Sequence, residues 1–264
     1  MNAQDDFIRQ QAEAASEEQR WREYRAGNAK PNGCARREPH AIELMRFADM
    51  RPRLDGRPLV KGILEQEQTS LIVGPTGCGK TFLTLDIGLH VAAGREWFGR
   101  RVSVGAVVYV AAEAGRSIIN RVAAWKIAYG YGKEDAAIPF ATVTSPVDLC
   151  HANAGDLDRL IATIRAAGFD HVALIVVDTI SRALSGGDEN SPSDMGAIVG
   201  SLDRLRDEFR CHVAAVHHLG KETARGARGH SLLTCNLDTV IEVARDEATG
   251  IATATITKQR DGAT

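Results

Sequence analysis

Eight residues, Gly74-Pro75-Thr76-Gly77-Cys78-Gly79-Lys80-Thr81, constrain this chain more than any other stretch. They fit the pattern G-x-x-x-x-G-K-[ST] without a mismatch. Thr69 to Val73, just before, is a short apolar, β-branched run of the kind that forms a buried strand. Phe82 to Ala93, just after, places Leu83, Ile87 and Val91 at helical spacing, and Gly94 is a helix stop. Strand, glycine loop and helix are the setting in which such a loop holds the phosphates of a nucleotide. Glycines let backbone N–H groups converge without Cβ clashes, and the new helix offers its positive end. Lys80 is placed for the β- and γ-phosphates, and the Thr81 hydroxyl for Mg²⁺.

Composition narrows the rest. The chain has 264 residues, 44% hydrophobic and 25% charged, with room for one large α/β domain and an extension. A net charge of −2 gives no global basic signal, so nucleic acid would have to meet local patches. Five scattered cysteines without a C-x-x-C pair argue against a disulfide framework or a zinc site and for a cytoplasmic setting. No apolar run reaches membrane-spanning length, so no membrane partner is expected. Residues 1–38 are polar and charge-rich and read as a helical or disordered extension; residues 39–264 read as the catalytic domain.

Within that domain strands alternate with helices. Strands are expected at 105–112, 138–143, 171–177 and 211–216, helices at 117–129, 156–167 and 195–210, and two late strands at 237–243 and 251–257. Loops are expected at 182–194 and 219–231. Alternation of this kind predicts a mainly parallel sheet covered on both faces, with ligands at the carboxyl ends of its strands. Gly74, Glu113, Asp178 and the pair His217-His218 each follow a strand directly, so all four should gather along one sheet edge.

Each has a chemical reading and a plainer one. Asp178, after Leu174–Val177, suits a Mg²⁺-binding acid rather than a helix cap. Hydrolysis needs a group to activate water, and Thr179 occupies the place after Asp178 where many ATPases carry a glutamate. Glu113, on the neighbouring strand tip, is the natural base, although isolated glutamates are usually just solvated. His218 suits a γ-phosphate sensor, while His217 is equally well read as a buried histidine. Lys221, Arg225 and Arg228 form a basic loop that could follow single-stranded DNA, though it lacks aromatics for base stacking. Lys258 and Arg260, two apart in a strand, project the same way; spacing alone makes them a solvated strand end.

Together GPTGCGKT, YVAAEAG, LIVVDT, VHHLGK, ARGHSLLTCNLDTVIEV and TKQRDG, between residues 57 and 262, resemble the RecA-fold hexameric replicative helicases, AAA-family ATPases of the plasmid RepA-like branch and its phage relatives. The resemblance implies a RecA-like fold, ATP and Mg²⁺ as cofactors, and a homo-oligomeric, hexameric ring on single-stranded DNA. It implies Glu113 as catalytic glutamate and His218 as sensor. Arg260 with Lys258 becomes a finger reaching the adjacent subunit's ATP, and loops 182–194 and 221–231 become channel loops. Arg121 matches an arginine near the site. Strands beyond residue 264 are implied as well, so the chain reads as C-terminally truncated. The alternative is a RecA-fold ATPase that is not a helicase, with a regulatory, recombination or loading role.

Overall fold

The computed structural model describes residues 46–50, 57–113, 115–132, 138–218 and 228–260. The chain divides into two units, Met1–Pro52 and Arg53–Thr264. Of the first, a single 3-10 turn, Phe47–Asp49, is described. The expected extension over residues 1–38 lies outside the described residues.

The second unit begins with a small antiparallel pair, β1 (Pro58–Val60) and β2 (Leu64–Glu65). Then come β3 (Thr69–Gly74), α1 (Lys80–Ala93), β4 (Ala106–Ala111), α2 (Ser117–Ala128) and β5 (Phe140–Val143). The chain continues through α3 (Asp156–Ala166), β6 (Val172–Asp178), α4 (Ile180–Ala183), α5 (Pro192–Phe209) and β7 (His212–His218). It closes with α6 (Arg228–Asn236), β8 (Thr239–Arg245) and β9 (Ala252–Gln259). Seven strands form one sheet in the order β5-β4-β6-β7-β3-β8-β9. All pairings are parallel except β8 with β9.

The apolar runs that read as continuous in sequence split by parity in the structure, because successive side chains of a strand face opposite ways. Leu71, Val108, Val110, Ile175 and Val177 face one layer, where α3, α5 and Leu233 of α6 cover them. Ile72, Val107, Tyr109, Leu174 and Val176 face the other, under α1, α2 and the β1–β2 pair. Both faces are dry, which is why the central strands show no polar alternation.

Neither the β1–β2 pair nor α4 was expected, and two helix starts differ from expectation. Helix α5 starts at Pro192, not 195, because Ser191 caps it by accepting from the Asp194 N–H and proline fits the first turn. The expected loop at 219–231 ends early, since Arg228 already opens α6. With Gly229 inside it, that helix has weak local propensity. It is held from outside: the Lys258 ammonium donates to the carbonyls of Thr234, Cys235 and Leu237 at 2.8, 2.9 and 2.7 Å, around its C-terminus.

One buried histidine ties the small pair to the sheet. His212, fully buried, donates Nδ1–H to the Glu65 carbonyl at 2.6 Å and accepts from the Ser70 hydroxyl at 2.8 Å through Nε2. Burial pushes its pKa down to about 4. Between that value and the unfolded 6.5 the unfolded chain binds the extra proton, so stability falls as pH drops through this window. At pH 5 the loss from this group is about 2 kcal/mol. His212→Gln is expected to lower the thermal midpoint at pH 7.5 but to flatten its decline between pH 6.5 and 5; an unchanged slope would remove His212 as the cause.

Candidate nucleotide-binding site

The register of the sheet builds the site. Gly74 ends β3 directly opposite His218, the last residue of β7. Ala111, the last residue of β4, lies opposite Asp178, the last residue of β6, and Asp178 lies opposite Val216. Four adjacent strands therefore end along one line. Glu113 stays on that line because its N–H donates to the Asp178 carbonyl at 3.1 Å.

The glycine loop leaves β3 under tight constraint. A Cβ on Gly74 would sit 2.1 Å from the Val243 carbonyl oxygen of β8, so nothing larger fits there. Gly79 has φ +110° at the head of α1, where other residues are strained. The first turn of α1 carries no acidic residue and no side-chain cap, so its N–H groups face the loop without competition.

Lys80 is the centre. The residue is only 4% exposed, and its ammonium donates to the Gly74 and Pro75 carbonyls, both at 2.8 Å. A third donor reaches His218 Nδ1 at 3.2 Å. An ammonium has donors only, so Nδ1 accepts and the neutral ring carries its proton on Nε2. That N–H points to Glu113 Oε2 at 3.1 Å. Thr76 Oγ1 lies 3.4 Å from the same Nδ1. Lysine, histidine and glutamate thus form one chain of contacts across three strand tips.

Desolvation lowers the Lys80 pKa, against the pull of Cys78, Asp178 and Glu113. Burial raises the Glu113 carboxyl, but its hydrogen bond to His218 and the Arg182 charge more than offset this, and the net shift is downward. Glu113 is therefore ionised at neutral pH, as a base must be. Asp178 moves the other way. Burial raises it, and Glu113 adds to the rise, while the Tyr109 and Thr81 hydroxyls act against it. Asp178 Oδ1 is buried and closes no hydrogen bond, while the Thr81 hydroxyl favours the charged carboxylate. An orphaned carboxylate oxygen beside a loop hydroxyl is a donor set that suits Mg²⁺ or its water shell. Among the described residues no cluster of three or more His, Cys, Asp or Glu could hold a metal on protein ligands alone.

Beside the loop lies a groove of about 730 Å³ between α1, α2 and the β8–β9 hairpin. Gly79, Phe82, Arg121, Trp125 and Ala252 line it, and its wall is mainly apolar. The Arg121 guanidinium sits 4.8 Å over the Phe82 ring. At the outer end Asp86 accepts from the indole N–H groups of Trp97 and Trp125 at 2.9 and 3.0 Å. Sequence reading had no handle on this groove, because its wall comes from three distant segments.

Of the predicted residues, the loop 74–81, Glu113, Asp178 and His218 are brought together. His217 is buried within β7. Lys258 and Arg260 are not part of this edge. They lie where β9 runs past the start of β3, at the opposite end of the sheet. The Arg260 guanidinium, half exposed, pairs with Asp238 at 2.9 Å, and Asp238 in turn accepts from Thr69. Lys221 and Arg225 lie outside the described residues, and of Arg228 only its place at the start of α6 is described.

A family model described as "AAA domain" matches residues 36–224. The chain belongs to this AAA domain family. Two solved structures share the fold. One, an ATPase domain, superposes with a TM-score of 0.54 at 16% identity, over 75% of this chain and 79% of that one. The RadB recombinase gives 0.53 at 19%, over 75% and 84%. The family member described here has the α/β, RecA-like P-loop ATPase fold. Among its described residues no helix is long and apolar enough to cross a membrane.

Lys258 has a clear local duty as cap of α6. Lys258→Met is expected to cost about 1–2 kcal/mol, read as a shift of the urea midpoint, since three carbonyls lose their donor. Parental stability would show that the cap is idle.

Proposed function

We propose that the protein hydrolyses ATP with Mg²⁺ at sites completed by a second copy of the chain, as a ring-forming DNA helicase motor on single-stranded DNA. The observation that carries the hydrolytic part is the contact chain Lys80–His218–Glu113 across the strand tips. Mg²⁺, when bound, would offset phosphate charge; Thr81 and Asp178 are the residues that would hold it. The groove beside Gly79 fits the base, with Arg121 and Phe82 as its stacking platform.

The residues then act in sequence. At the outset the Lys80 ammonium is occupied by two carbonyls and His218. A triphosphate offers stronger, charged acceptors, and the ammonium exchanges its partners for them. Phosphate oxygens only accept, so to meet them the ring must carry its proton on Nδ1, and Nε2 is then left with no proton for Glu113. Glu113 is released from the ring and becomes free to take a proton from the attacking water. His218 leads straight into the segment that carries Lys221 and Arg225, so a change at the histidine is delivered to the basic loop.

The place of Arg260 supports the shared site. It lies at the sheet end opposite its own phosphate loop, half exposed, so the triphosphate it can serve belongs to another copy. The non-helicase ATPase reading shares all of this except the DNA.

Glu113→Gln and Arg260→Ala are each expected to bind nucleotide normally and to lose at least about a hundredfold in turnover. Mixed together they should recover activity, since some interfaces then unite an intact Glu113 with an intact Arg260. Turnover by Arg260→Ala at the parental rate would end the shared-site reading. Stimulation of the parent by single-stranded DNA, with unwinding of a forked duplex, is expected; turnover indifferent to DNA would leave the non-helicase ATPase.

A further inference from the structure

The two oxygens of Asp178 are treated differently. Oδ2 accepts from the Tyr109 hydroxyl at 2.7 Å, while Oδ1 closes no hydrogen bond. Tyr109 is fully buried in β4, in register with Val176, so it shares the sheet face of Asp178 two residues further on. Its oxygen is braced from behind by Thr84 Oγ1 at 2.9 Å. Tyr109 gives its one proton to Asp178, so the Thr84 hydroxyl donates to the tyrosine oxygen, and the carbonyls of Lys80 and Thr81, 3.1 and 3.3 Å from Thr84 Oγ1 in the first turn of α1, compete for that same proton. A line of hydroxyls thus runs from the lysine–threonine pair of the phosphate loop to the acid on β6.

Packing does not call for this hydroxyl. The ring of Tyr109 already sits among apolar side chains of the α1–α2 layer, and phenylalanine would fill the same space. Burying a hydroxyl there is unfavourable unless it is bonded, and here it is bonded to one chosen oxygen. The terminal torsion of an aspartate is soft and broad. Without Tyr109 either oxygen of Asp178 could turn toward the loop.

We propose that Tyr109 is a positioning residue for Mg²⁺: its hydroxyl, braced by Thr84, commits one Asp178 oxygen to the protein and leaves the other presented beside Thr81 for the ion or its water. The proposal rests on the ATP-site reading and extends it to two residues of the core. It also links the two halves of the Mg²⁺ site, since Thr84 touches the backbone of Thr81 on one side and the partner of Asp178 on the other. Partners of this kind set the orientation of metal-binding carboxylates, and their loss typically weakens metal binding about ten- to a hundredfold.

The test is Tyr109→Phe in the full chain, with a fluorescent ADP analogue titrated in EDTA and at graded Mg²⁺. Affinity in EDTA should stay within about twofold of the parent. The gain in affinity on adding Mg²⁺ should shrink about tenfold, and the Mg²⁺ concentration that half-saturates that gain should rise by a similar factor. Thr84→Val should move the same readouts in the same direction by about threefold. Thermal midpoints are read in parallel, and a drop in midpoint at parental Mg²⁺ dependence overturns the proposal, because the hydroxyl is then structural only. Equal loss of affinity with and without Mg²⁺ overturns it too. If Tyr109→Phe does not fold, Thr84→Val decides, and a parental Mg²⁺ half-saturation refutes the role. A parent that binds no nucleotide in either buffer overturns the ATP-site reading, and this proposal with it.

Discussion

A buried ammonium governs this structure. Lys80 carries a charge into a site where it is almost wholly screened from water, and such a charge needs donor-matched partners. The glycine loop supplies them by curling its own carbonyls, Gly74 and Pro75, back onto the lysine. That curl requires Gly74 to pass against the β8 backbone without a side chain. The third partner, His218, is available because β7 ends level with β3. The loop therefore rests in a self-satisfied state, and a ligand must bring better acceptors than carbonyls and an imidazole. Phosphate oxygens meet that condition; neutral ligands do not.

The sheet has two chemically distinct ends. At the carboxyl end lie the loop, Glu113, Asp178 and His218. At the other lies a structural knot in which Asp238 holds both Thr69 and Arg260, and Lys258 holds the end of α6. An arginine that is ordered by its own subunit yet half exposed is well prepared for a neighbour: its position is set in advance, so little order is lost on docking. Asp238 is buried and keeps Thr69 as a second partner, while the guanidinium that pairs with it is half exposed, which leaves the arginine able to change partners.

The parts of the fold that depend on periodicity were legible. Leu174–Val177 and Val107–Val110 could only be two-sided buried strands, and their tips could only converge once the sheet was parallel. The contact between His218 and Glu113 follows from that convergence. What was not legible depended on contacts between distant segments. Helix α6 has poor local propensity and exists because Lys258 binds its C-terminal carbonyls and Leu233 is buried. Tyr109 read as one more apolar core residue, since nothing in a strand of valines says which hydroxyl will meet an acid across the sheet. Lys258 and Arg260 looked equivalent by spacing, yet one has all three donors on its own chain and the other keeps an exposed face. The start of α5 was misread as loop because of its polarity, although the cap and proline of Ser191-Pro192-Ser193-Asp194 outweigh it.

The exchange of partners at Lys80 is measured directly by a structure with Mg²⁺ and a non-hydrolysable ATP analogue. The Lys80 ammonium should have left the Gly74 and Pro75 carbonyls for phosphate oxygens, with Glu113 parted from His218 and one water away from the terminal phosphate. If the ammonium keeps both carbonyls and Glu113 stays on the histidine while the analogue is bound, the site does not work as described.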